Sequence, residues 1–160
     1  MEINNPLSLS EDYLKAIGSA TATLSTYEFL LEQLIWKLLG RDVTTGYGES
    51  LTTHMGFRQK IHVIGTLCEQ QDINSDISQV HYTIAKKLLS KANEISVERN
   101  KIIHGLWGND PDTGATYLMN LSAYGKLNFQ QKYSNIEDLN NFIGDVNMER
   151  GKLLVFIDRI

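Results

Sequence analysis

At 160 residues the chain is of single-domain length, and its 42% hydrophobic and 21% charged residues are those of a folded globular protein, which excludes a disordered, collagenous or low-complexity chain. One cysteine, Cys68, excludes an intramolecular disulfide framework and a cysteine-built zinc site. A formal net charge of −4 argues against a general polyanion binder, so any nucleic-acid contact is expected to be local.

The segment Ser8-Leu9-Ser10-Glu11 has a capping-box pattern, and behind it Tyr13, Ile17, Ala20, Leu24, Tyr27, Leu31, Leu34 and Leu38 advance by steps of four and three. That spacing predicts one long amphipathic helix, stopped at Gly40. Thr44-Thr45-Gly46-Tyr47-Gly48-Glu49 reads as a loop and lacks the Gly-Lys-Ser/Thr ending of a phosphate-cradling P-loop. A second helix is predicted from about Ser50, with Phe57, Ile61, Ile64 and Cys68 on one face, fading into Glu69-Gln70-Gln71-Asp72. The third begins near Ser75 or Asp76 and carries Ala85, Leu88, Ala92, Ile95, Ile102 and Leu106, with Arg99 in one of the apolar places. Residues 108–114 have turn chemistry. The β-prone segments Thr116–Leu121 and Lys126–Tyr133, separated by Tyr124-Gly125, then predict a two-stranded hairpin. Ser134-Asn135-Ile136-Glu137 is a second capping box, opening a last helix with Ile136, Leu139, Ile143, Val146, Leu153, Ile157 and Ile160 in register and Arg150 in one place of the stripe. With no repeat and no Ser/Gly linker, residues 1–160 read as a single domain. The expected fold is an all-α, antiparallel bundle of four or so helices, roughly 70% helical, with a small β-hairpin before the last helix. No apolar run approaches the roughly 18 residues of a membrane helix, and Met1-Glu2-Ile3-Asn4-Asn5 does not open like a signal peptide, so a cytoplasmic protein with no membrane contact is expected.

The chemistry concentrates in Glu98-Arg99-Asn100-Lys101-Ile102-Ile103-His104-Gly105-Leu106-Trp107. A guanidinium at an apolar position needs groups that accept its hydrogen bonds. On a helix, His104 lies about 140° round from Arg99 but only about 40° from Asn100. From Lys86 to His104, Lys86, Lys87, Lys91, Arg99 and Lys101 face only Glu94 and Glu98, a local positive excess inside an acidic protein. The bland readings are an ion pair of Arg99 with Glu28 or Glu32, a histidine that merely caps its helix, Trp107 as a plug under the bundle end, and lysines on a solvated face. Glu28 and Glu32 share a helical face, but nothing beside them fixes a sugar or a water. His54, His62 and His81 show no metal-binding spacing, so no metal or other cofactor is expected.

Arg99-Asn100-Lys101-Ile102-Ile103-His104, late in the third helix of a small bundle, resembles the motif of the HEPN family: Arg, four to six residues, then His, often with a polar residue after the Arg. The resemblance implies a homodimeric, metal-independent endoribonuclease, a hydrolase acting as a toxin or defence component, with Arg99, Asn100 and His104 of both subunits at the two-fold axis. Lys101, Lys91 and Trp107 are then the candidate substrate contacts. It also implies an antitoxin or nucleotidyltransferase-like partner. The other reading is a non-catalytic HEPN-like dimer that binds RNA, nucleotide or a partner protein. The hairpin departs from the simplest bundle.

Overall fold

The computed structural model describes residues 9–40, 47–73, 79–110, 112–121, 127–130 and 135–160. Helix α1 is Glu11–Leu38, α2 Tyr47–Thr52, α3 Phe57–Ile73, α4 Gln79–His104 and α5 Ile136–Arg159, with strands β1 Leu106–Asn109, β2 Thr116–Leu121 and β3 Leu127–Gln130 between α4 and α5. The chain is thus mainly helical with a small antiparallel sheet before the last helix. Among the described residues no helix is long and apolar enough to cross a membrane.

The first helix follows its heptad arithmetic. Ser10 Oγ accepts the Tyr13 amide at 3.4 Å, making Ser10 the cap; Ser8 lies outside the described residues. Gly40, at φ 62°, takes the left-handed turn that ends the helix, and Gln71 Nε2 donates to the free Leu38 carbonyl at 2.7 Å. The predicted second helix is two. α2 ends at Thr52, and α3 starts after Gly56, whose amide is held by Gln59 Oε1 at 2.8 Å. Tyr47 to Glu49, read as loop, belong to α2, and residues 41–46 are outside the description.

The predicted hairpin is a three-stranded meander in the order β1-β2-β3. Its additional strand is Leu106–Asn109, pairing Trp107 with Leu118 and Asn109 with Thr116. Leu106, expected to prolong the helical stripe, is therefore in a strand and half exposed. Between β1 and β2, Asp110 organises the turn: its carboxylate accepts the amides of Asp112 and Thr113, and Gly114 at φ 68° closes it. The predicted Tyr124-Gly125 turn lies outside the described residues. Asn135 Oδ1 caps α5 by accepting the Glu137 amide at 3.0 Å. In the α5 stripe the polar residue is buried Glu149, whereas Arg150 is half-buried, because the period from Val146 to Leu153 and Phe156 runs through position 149.

The contacts divide the chain into two compact units. One comprises residues 1–23 and 97–145, with Ala16, Ala20, Ile102, Leu118 and Leu139 as its buried cluster. The other comprises residues 24–96 and 146–160, with Leu24, Tyr27, Leu31, Ile64, Leu88 and Leu153 among its buried side chains. Helices α1, α4 and α5 each contribute residues to both units.

Candidate active site

Helix α4 ends where its last regular hydrogen bond, from the Gly105 amide to the Lys101 carbonyl at 2.9 Å, gives way to β1. Trp107, two residues further, donates its indole N–H back to the Ile102 carbonyl at 3.0 Å, satisfying one of the acceptors that a helix end leaves open. Its ring packs on the first unit's cluster and 6.4 Å, centroid to centroid, from Tyr13. Ile102 is buried and Ile103 lies against the same cluster, so the final turn is fixed from below while His104 is exposed to solvent. Trp107 acts here as the lock on the helix end.

Arg99 is half-buried, and Asn100 is exposed. Arg99 Nη1 donates to Asn100 Oδ1 at 3.2 Å, which leaves the Asn100 amide nitrogen as a donor. Four residues on, His104 is the next side chain of Asn100's face. Local sequence therefore joins the Arg99 guanidinium to the Asn100 amide and sets the His104 imidazole one turn further along the Asn100 face. The other candidates are engaged otherwise: Lys101 Nζ pairs with Glu98 at 2.9 Å, and Lys91 Nζ pairs with Glu94 at 2.7 Å in the other unit. These pairs use the two carboxylates of the segment, so its positive excess is carried by Lys86, Lys87 and Arg99.

Glu28 and Glu32, the carboxylates weighed as partners for Arg99, share one cation. Both hold Lys60, at 2.7 and 2.6 Å, and Thr52 Oγ1 donates to Glu32 Oε2 at 3.4 Å. Lys60 is 4% exposed. Burial draws its pKa down, but the hydrogen bonds and charges of the two carboxylates outweigh this and hold it above the ordinary lysine value. Sequence reasoning passed over Lys60, whose only signal was a basic residue next to Ile61 in the buried stripe of α3. It also passed over Glu149, which pairs with Lys152 at 2.7 Å and, after burial, is the second cause pushing the Tyr27 phenol up.

Of the remaining histidines, His81 lies edge-on to Phe156, whereas His54 and His62 are exposed. Among the described residues no three His, Cys, Asp or Glu side chains are grouped so as to hold a metal ion. Compared with the profiles of known protein families, with curated proteins and with solved structures, the chain has no match.

Proposed function

We propose that the end of α4 is the active site of a HEPN-like endoribonuclease that works as a homodimer. The observation that carries this reading is the Arg99–Asn100 hydrogen bond one turn before an exposed, firmly seated His104. The reaction is transesterification. The ribose 2′-oxygen attacks phosphorus, its proton passes to one imidazole, the bond from phosphorus to the 5′-oxygen breaks, and an imidazolium returns a proton to that oxygen. A 2′,3′-cyclic phosphate and a free 5′-hydroxyl result. The guanidinium of Arg99 faces charge that grows on the non-bridging oxygens, where paired donors act most strongly. Base and acid stand on opposite sides of the phosphate, which one histidine serves poorly and two serve well. A two-fold interface that brings the two α4 ends together supplies both.

The nucleophile belongs to the substrate, so cleavage is expected to continue in EDTA, to yield the cyclic phosphate, and to fail on RNA carrying a single 2′-deoxyribose at the cut position. Cutting of that analogue would overturn the mechanism. His104→Ala is expected to lower the rate about 10² to 10⁴-fold while leaving RNA binding in place, and Arg99→Ala to lower both. Binding by the wild type with no cleavage of any RNA would instead establish a non-catalytic binding module.

A further inference from the structure

Away from the α4 end, two hollows flank one pair of side chains on α3. The first, of about 600 Å³, is lined by the apolar Leu51, Met55 and Val63 together with His54 and Gln59. The second, of about 340 Å³, is lined by Ile61, Gly65 and Leu89 together with Thr66, Glu69 and Asn93. Arg58 and His62 line both, so they form the divide between them. All these residues belong to one compact unit. Arg58 and His62 are four apart on α3, hence on one face, and both are exposed. Among the described residues neither side chain is joined to a carboxylate. The first turn of α3 contains no acidic residue, so the positive end of the helix next to Arg58 is not offset.

We infer that Arg58 and His62 form a phosphodiester-binding ridge for single-stranded RNA, with the bases on either side of the bound phosphate lodged in the two hollows. A strand of nucleic acid repeats this pattern, an anion between two flat, largely apolar bodies, and each hollow is of a size that takes a small organic group. Arg58 supplies a fork of donors matched to phosphate oxygens. Gln59, whose amide nitrogen is left over after its oxygen holds the Gly56 amide, lines the first hollow and Asn93 the second, and each carries a donor that suits a base edge. An acidic peptide satisfies the cations but not the paired hollows. Glu69 bounds the second hollow and limits the contact to a few nucleotides.

The test uses a fluorescent oligouridylate of six 2′-O-methyl nucleotides, which cannot be cleaved by 2′-oxygen attack, so that binding is read whether or not the α4 end is an enzyme. Arg58→Ala is expected to weaken binding about tenfold, Arg58→Lys less, and Arg159→Ala not at all. The slope of log affinity against log salt is expected to fall by about 0.7 in Arg58→Ala. Methyl resonances of Leu51, Met55 and Val63 are expected to shift on titration, and to do so also in the Arg99→Ala, His104→Ala double variant. Unchanged affinity in a normally folded Arg58→Ala, or methyls that do not respond, would overturn the proposal. A hexaglutamate peptide that binds as tightly and moves the same methyls would do so too, and would assign the ridge to an acidic protein surface.

Discussion

Lys60 is a buried cation bridging two partly exposed carboxylates, so removing it takes from Glu28 and Glu32 the charge they share. Lys60→Met is expected to cost about 3 kcal/mol in urea unfolding. The pH dependence has a definite sign. A lysine whose folded pKa lies above its unfolded value stabilises fully below the unfolded value, near 10.4, and loses that contribution as pH rises through the folded value. The Tyr27 phenol, raised by burial and by Glu149, acts in the same direction. The stability gap between wild type and Lys60→Met is therefore expected to hold through pH 9 and to narrow above the ordinary lysine value. Cys68 gives a second check at this scale: burial, then the charge of Glu69, pushes its thiol up to about 11, and the side chain is 1% exposed. Iodoacetamide is expected to label it only when the protein unfolds, and labelling at the rate of a free thiol at pH 8 would contradict the buried placement. The triad also shows why part of the interior was not legible. Glu28 and Glu32 were visible as a pair on one face, but their cation stands 32 and 28 positions away, and no local period connects them.

Among the elements, α1 could be read from end to end because its stripe never changes period, and the residues of that stripe from Ala20 to Leu38 are all buried. β1 could not. Its four residues follow directly on the α4 stripe, Leu106 falls in helical phase, and the strand exists only because β2 lies beside it. Likewise the break between α2 and α3 joins a local cap, Gln59 on the Gly56 amide, to the Thr52 hydroxyl reaching Glu32, and the second of these is tertiary information. The candidate site was legible as a motif, whereas the means of holding it, the bond from Trp107 to Ile102, was not. Trp107→Phe keeps a ring on the cluster but removes that bond, with an expected loss of about 1 kcal/mol. If the α4 end is the catalytic site, kcat of RNA cleavage should fall more than KM changes, since the substitution loosens His104 without touching the phosphate contacts. The turn after β1 is testable by pH. Asp110 is held below the usual carboxylate range by the Thr113 and Asp112 amides, so its contribution is present above the unfolded value near 4 and disappears as pH falls through the folded one. Amide protection in β1 and β2 is expected to drop in acid in the wild type, and Asp110→Asn, which keeps the acceptor, should flatten that response.

For the whole molecule, the division into two units each assembled from distant stretches matters more than the count of helices. The first unit needs residues 97–145 to find residues 11–23 of α1, and the second needs residues 146–160 to return to 24–96. A fragment spanning residues 24–96 lacks the buried side chains of Val146, Leu153 and Phe156, so it is expected to show little fixed structure by near-ultraviolet circular dichroism. Sharp, native-like spectra from that fragment would contradict this reading of the second unit. Both units take residues from α5, which follows everything else in the chain. On the ribosome, then, the nascent polypeptide lacks the α5 side of both buried clusters until residues 136–156 emerge, and the apolar surface that α5 covers must be kept from sticking to itself during that interval. The cluster beneath His104 includes Ile136, Leu139, Phe142 and Ile143, so the α4 end gains its full support only once residues 136–143 have been made and folded back.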